Sequence, residues 1–199
     1  MAFTIDEAFL PATLTAHPMT DAEFAEFCAE HPGLFFEMTA EGEIVVMPPN
    51  FSLTGARNLE ICIQLGSWAR QDSRGRAVDS SAGFVLPNGA RLSPDASWIS
   101  KTDIRKLDNL EGYWHICPAF VIELRSKSDR PRILREKMRE YITNGAQLGW
   151  LIDADARTVE VYRPDREPEL LTGPESVTGE GPVEGFILNL RTVWDPLGA

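Results

Sequence analysis

Hydrophobic spacing alternates between helical and strand periods along the chain, and each change predicts an element. Thr20 and Glu23 have the form of a capping box, and Phe24, Phe27 and Cys28 recur at helical spacing until Pro32-Gly33, which predicts a short amphipathic helix. Phe35 to Met47 reads as two strands joined across Thr39-Ala40-Glu41-Gly42. A longer helix is predicted from about Leu53 to Gln71, with Leu59, Cys62, Ile63 and Gly66 inward. Val78 to Pro87 and Arg91 to Ile99 read as strands around Asn88-Gly89, a pair that supplies the positive φ angles of a tight hairpin. Pro94 limits the second of them to an edge or a kink. Pro118 to Leu124 is apolar on both alternating faces until Glu123, the mark of a central strand covered on both sides, so Glu123 is expected to be buried. A helix from about Arg130 to Asn144 follows, stopped by Gly145. Leu148 to Asp153 and Thr158 to Arg163 form a further hairpin, and Phe186 to Trp194 closes the core.

This order of elements predicts an α/β protein. At 199 residues the chain divides into an N-terminal extension, 1–18, and a single domain, 19–199. Flexibility is expected in the extension and in the Pro-, Glu- and Gly-rich stretch from Pro164 to Gly185. With 43% hydrophobic and 25% charged residues, disordered and fibrous classes are excluded. The longest aliphatic run, Ile44 to Met47, is far short of the roughly 18 residues a membrane helix needs. The first ten residues lack the basic flank and apolar segment of a targeting peptide, so a cytoplasmic location is expected. Cys28, Cys62 and Cys117 are widely spaced and odd in number, which predicts reduced, buried thiols.

Charge changes the picture locally. The chain carries a net charge of −11, which repels polyanions, yet Arg125 to Arg139 holds seven basic residues against two acidic ones. At 100° per residue, Ile133, Leu134, Met138, Tyr141 and Ile142 span one side of the predicted helix, while Arg132, Arg135 and Arg139 fall on the other, a solvated face by default. Lys137 lies inside the apolar arc. Either its stem snorkels along the core with the ammonium in water, or the ammonium is buried and needs carboxylate partners, because an unpaired buried charge costs several kcal/mol. Glu123, on the preceding strand, and Asp95, after Pro94, can supply them. Two carboxylates and an ammonium suit phosphodiester hydrolysis: oxygen ligands hold a hard cation, and the lysine orients water or steadies developing charge.

Pro94-Asp95, Glu123-Leu124-Arg125 on a central strand and the basic helix after it resemble the PD-(D/E)xK phosphodiesterase superfamily of restriction-endonuclease-like folds. More narrowly, the chain is similar to the Uma-two family of restriction endonucleases. That likeness runs from Met19-Thr20-Asp21 and Phe36-Glu37 through Gly83-Phe84-Val85-Leu86-Pro87-Asn88-Gly89, Ser93-Pro94-Asp95 and Val121-Ile122-Glu123-Leu124-Arg125-Ser126. It continues through Lys137, Tyr141 and Gly145 to Leu148-Gly149-Trp150 and Val159-Glu160-Val161-Tyr162. The resemblance implies a mixed central sheet flanked by helices with an extra N-terminal β-hairpin, and a nuclease dependent on Mg²⁺ or Mn²⁺. It implies Asp95 and Glu123 as metal ligands. The superfamily's lysine position is occupied by Arg125, a planar cation that does not give up a proton readily, so the catalytic lysine is relocated to Lys137. Glu37 is a candidate for completing the metal's shell, with a strand glutamate facing solvent or pairing with an arginine as the alternative. Arg125, Lys127 and Arg130 are candidates for phosphate contact.

The expected substrate is nucleic acid, DNA foremost, and cutting two strands would favour a homodimer. Two other readings remain open: a catalytically silent or regulatory protein that binds a nucleic-acid end or a protein, and a hydrolase of small nucleotide phosphodiesters, which would tolerate the acidic exterior. His17, His31 and His115 have no ligand spacing, Ser73-Arg74-Gly75-Arg76 lacks the Walker context, and no Gly-x-Ser-x-Gly elbow is present.

Overall fold

The computed structural model describes residues 12–14, 19–47 and 51–198. The N-terminal part runs β1 (Ala12–Leu14), α1 (Asp21–Glu30), β2 (Phe35–Met38), β3 (Ile44–Met47) and α2 (Ser52–Asp72). The middle continues with β4 (Gly75–Asp79), β5 (Phe84–Val85), β6 (Arg91–Leu92), β7 (Ala96–Ser100), α3 (Lys101–Ile104) and β8 (Phe120–Leu124). Then come α4 (Pro131–Thr143), β9 (Leu148–Asp153), β10 (Thr158–Tyr162), β11 (Glu169–Thr172), β12 (Ser176–Thr178), β13 (Ile187–Asn189) and α5 (Arg191–Trp194).

The apolar run ending at Glu123 is a central strand, as its two-sided hydrophobicity predicts. Six strands pair in the order β11-β10-β9-β8-β7-β4, and only β8 and β9 are parallel. A parallel pair needs a crossover, and α4 supplies it. Alternate residues of the strands then face different layers. Trp98, Phe120, Ile122 and Trp150 pack with Ile61, Leu65 and Ala69 of α2 and with Phe186, Leu188 and Val193 of the C-terminal segment. Val121 and Leu151 face the other way, against Met138 and Tyr141 of α4. Gly149 permits that close approach, since a Cβ there would meet Met138 Cε at 2.5 Å.

A second sheet, β1-β3-β2-β6-β5, is antiparallel throughout. The expected N-terminal hairpin is its centre, β2 and β3, extended by β1 on one side and by β6 and β5 on the other. Helix α1 opens with the expected capping box and packs Phe24 against Met38, Ile44 and Val46. Pro94 lies where the chain leaves β6 in this sheet and enters β7 in the larger one, which is how its incompatibility with a continuous strand is resolved. Asp95 thereby stands at the junction of the two sheets.

Three expectations are corrected. On α2 the buried positions are Thr54, Ile61, Leu65 and Ala69, whereas Leu59 and Ile63 are exposed; the helix carries two apolar stripes, and the one meeting Phe186 and Trp98 is buried. In the β5–β6 turn only Gly89 has positive φ, +93°, and the Gly89 N–H donates to Leu86 O, so Pro87 and Asn88 are the central turn residues. The stretch from Pro164 to Gly185 is ordered: it contributes edge strand β11 and buries Val177 and Val183. Most of the N-terminal extension, His17 included, lies outside the described residues, but Ala12–Leu14 pair with β3. Among the described residues no helix is long and apolar enough to cross a membrane.

Candidate active site

Four elements deliver one polar cluster into the seam between the two sheets and α4. The β7–β8 register pairs Ala96 with Ile122, so one step further Asp95 stands opposite Glu123, both on the α4 side. There the backbone ladder ends, and the Asp95 carboxylate takes over by accepting the Leu124 N–H at Oδ2, 2.7 Å. Glu37, from β2, accepts the Ser93 N–H at Oε1, 2.8 Å, which anchors the smaller sheet to the residues just before Asp95. Lys137 reaches down from α4 and places Nζ 2.8 Å from Glu37 Oε1 and 2.8 Å from Glu123 Oε1. Its side chain is only 12% exposed, so the ammonium is paired and does not snorkel. Tyr141, one turn on, donates its hydroxyl to the same Glu123 oxygen at 3.1 Å.

The bonding leaves a pattern. Each carboxylate is fixed through one oxygen, Glu37 Oε1, Asp95 Oδ2 and Glu123 Oε1, while its other oxygen has no hydrogen-bond partner among the described residues. Those free oxygens are not sealed in the protein interior, and all three residues line one cavity of about 170 Å³. Two buried carboxylates, Glu37 and Glu123, thus share one ammonium, with the half-buried Asp95 beside them. Burial pushes the Glu123 carboxyl upward against the opposing pull of Lys137, which holds it as the ionised partner, and raises Asp95 to about 6 despite the Leu124 N–H and Lys137. Burial acts on Lys137 in the opposite sense, but Glu123 and Glu37 outweigh it and hold the ammonium well above the usual lysine range. Lys137 is therefore a fixed positive charge and a hydrogen-bond donor, unsuited to act as a base at neutral pH. Desolvation and the facing carboxylates raise the Tyr141 phenol too, so it stays a donor.

Hard carboxylate oxygens of this kind suit Mg²⁺ or Mn²⁺. Among the described residues no three of His, Cys, Asp and Glu stand close enough to enclose an ion by themselves. A cation here would keep several waters, as Mg²⁺ ordinarily does.

Glu37, Asp95, Glu123 and Lys137 are thus brought together, and Arg130 lines the same cavity at the start of α4. Arg125 and Lys127 do not line it. The Arg125 guanidinium is drawn to Asp153 on β9, 2.6 Å away, and Lys127 is exposed beyond the strand end. Tyr141 was readable only as part of the apolar arc. The signal for more was its hydroxyl, which needs a partner when buried, four residues from a lysine on the same face. Ser93 enters through its backbone and carries no side-chain signal.

The sequence pattern of the Uma2 family, described as "Putative restriction endonuclease", matches residues 21–191. Among solved structures, the crystal structure of "a putative nuclease belonging to DUF820" from Anabaena variabilis ATCC 29413 superposes with a TM-score of 0.71. At 22% identity it covers 89% of this chain and 98% of its own. It shares the mixed α/β architecture. No curated protein matches the sequence.

Proposed function

The chain belongs to the Uma2 family, and from that premise we propose that it is a divalent-metal-dependent nuclease that hydrolyses phosphodiester bonds in nucleic acid, DNA foremost. The observation that carries this reading is the surplus of carboxylates: buried Glu37 and Glu123 share the one ammonium of Lys137, half-buried Asp95 stands beside them, and each keeps one oxygen without a partner among the described residues. Burying such a cluster is unfavourable without further positive charge, which a cation supplies. Asp95 and Glu123 would hold it, with Glu37 completing its surroundings. When bound, it would polarise the phosphate and lower the pKa of attacking water.

The remaining chemistry belongs to the side chains. Lys137 keeps its charge and faces the cavity floor, where it orients the water and offsets negative charge developing on the phosphate oxygens. Tyr141 holds the Glu123 carboxylate in one rotamer, which would leave its other oxygen for the cation. Arg130 stands at the mouth for a flanking phosphate.

Calorimetric titration with Mn²⁺ tests the assignment without relying on turnover. Wild type is expected to bind one ion, and Asp95→Asn and Glu123→Gln to weaken binding at least 10-fold with unchanged circular dichroism. Equal binding by all three proteins would overturn the metal assignment.

A further inference from the structure

The acidic floor of the cavity has a use in the proposed reaction, but one part of its rim, with Phe35, Met47 and Ile133, is apolar. Alternation sorts β2 and β3 into two faces. Phe36, Met38, Ile44 and Val46 turn toward α1, where the Phe36 ring meets Phe27 edge-on at 4.9 Å. Phe35 and Glu37 take the other face, and the register sets Met47 beside Phe35 and Val45 beside Glu37. That face is a wall of the cavity. Phe35 is 54% exposed, and its ring has no aromatic partner among the described residues. Across the mouth Ile133, 43% exposed, lies one turn before Lys137 on α4.

Electrostatics supplies little affinity for a polyanion here. The chain carries −11, and of the cations lining the cavity Lys137 is taken up by two carboxylates, which leaves Arg130. Binding must draw on apolar contact directly beside the acidic floor. A flat, largely apolar group joined by a short spacer to a phosphodiester is a nucleobase, and its faces are available only where it is unpaired.

We propose that Phe35 is a stacking platform for an unpaired nucleobase and that the site therefore takes single-stranded or frayed nucleic acid in preference to intact duplex, with Ile133 as the opposing wall. Phe35 lies two residues from Glu37 on one strand face, about 6.6 Å along the strand, so a base on the ring leaves its own phosphodiester close to the carboxylates. The proposal rests on the nucleic-acid reading above, and names its substrate class.

Fluorescence anisotropy with Ca²⁺ tests it, using a labelled oligothymidine, the same strand annealed to its complement, and an oligomer containing abasic positions. The oligothymidine is expected to bind roughly 5- to 150-fold more tightly than the other two, the range for one base stacked on an aromatic ring. Phe35→Ala should abolish that preference and Phe35→Trp restore it, with the melting temperature unchanged in both because the side chain is exposed. If Phe35→Ala binds oligothymidine as wild type does, or the duplex binds wild type equally well, stacking is overturned. Cleavage that persists in such a protein leaves the nuclease reading intact. If wild type binds none of the three, the stacking and the nucleic-acid reading fall together.

Discussion

Strands β7, β8 and β9 carry two faces of opposite character. Toward α2, Trp98, Phe120, Ile122, Trp150 and Ile152 make an aromatic core in which Phe120 meets Trp150 edge-on at 4.8 Å and Trp150 stacks on Phe186 at 5.7 Å. Toward α4, β8 turns Glu123 inward beside Val121, and Asp95 stands opposite it. The first face removes large apolar areas from water and stabilises the fold. The second buries carboxylates at a cost, which marks it as the place where local stability is sacrificed to hold reactive groups. The contrast has an exception: the Trp98 and Trp150 indole nitrogens are buried without a partner among the described residues, each costing about 1–3 kcal/mol, which the burial of the rings offsets.

Substitutions on the two faces should therefore separate stability from activity. The largest stability change is expected for Trp150→Ala, a loss of about 3–5 kcal/mol, read as a shift in the urea midpoint. On the opposite face Glu123→Gln keeps the shape and one acceptor, so unfolding should move by less than about 1 kcal/mol while cleavage falls roughly 100- to 1000-fold. A Glu123→Gln protein as unstable as Trp150→Ala would erase the distinction. Tyr141→Phe removes only the hydroxyl that steadies Glu123. Activity should fall about 3- to 10-fold, in line with one hydrogen bond of roughly 1 kcal/mol, and the Mn²⁺ requirement should rise, a shift that a purely structural role would not produce.

The smallest effect concerns Arg125, which lies outside the cluster. Burial raises its partner Asp153, but the Ala156 N–H and the Arg125 guanidinium prevail and hold that carboxyl below its ordinary value of 3.8. The pair's contribution is present above that pH and disappears as pH falls through the lower folded value. Asp153→Asn should flatten the acid limb of the melting curve below about pH 4 and cost roughly 1 kcal/mol or less at neutral pH, as for part-exposed pairs.

Much of this arrangement was legible in the residues. Two-sided hydrophobicity marked the central strand and made Glu123 conspicuous, and the helical period placed Lys137 inside an apolar arc, where the structure pairs it. Both are local patterns. The inward stripe of α2 was not legible, because Leu59 and Ile63 compete with Ile61 and Leu65 at equally good spacing and the choice is made by Phe186, more than a hundred residues away. The partner of Arg125 was not legible for a similar reason: only the β8–β9 pairing reveals that Asp153 stands within its reach. Glu37 enters through the packing of one sheet against another, and its bond from Ser93 N–H joins segments that no periodicity connects.

Whether the buried carboxylates form a metal-dependent nuclease centre is read most directly by cleavage of single- and double-stranded DNA and RNA with Mg²⁺ or Mn²⁺, comparing wild type, Asp95→Asn, Glu123→Gln and Lys137→Met. Cleavage by wild type that stops with EDTA and is lost in all three folded variants is the predicted result. Cleavage that survives EDTA, or that persists in Asp95→Asn and Glu123→Gln, would contradict it.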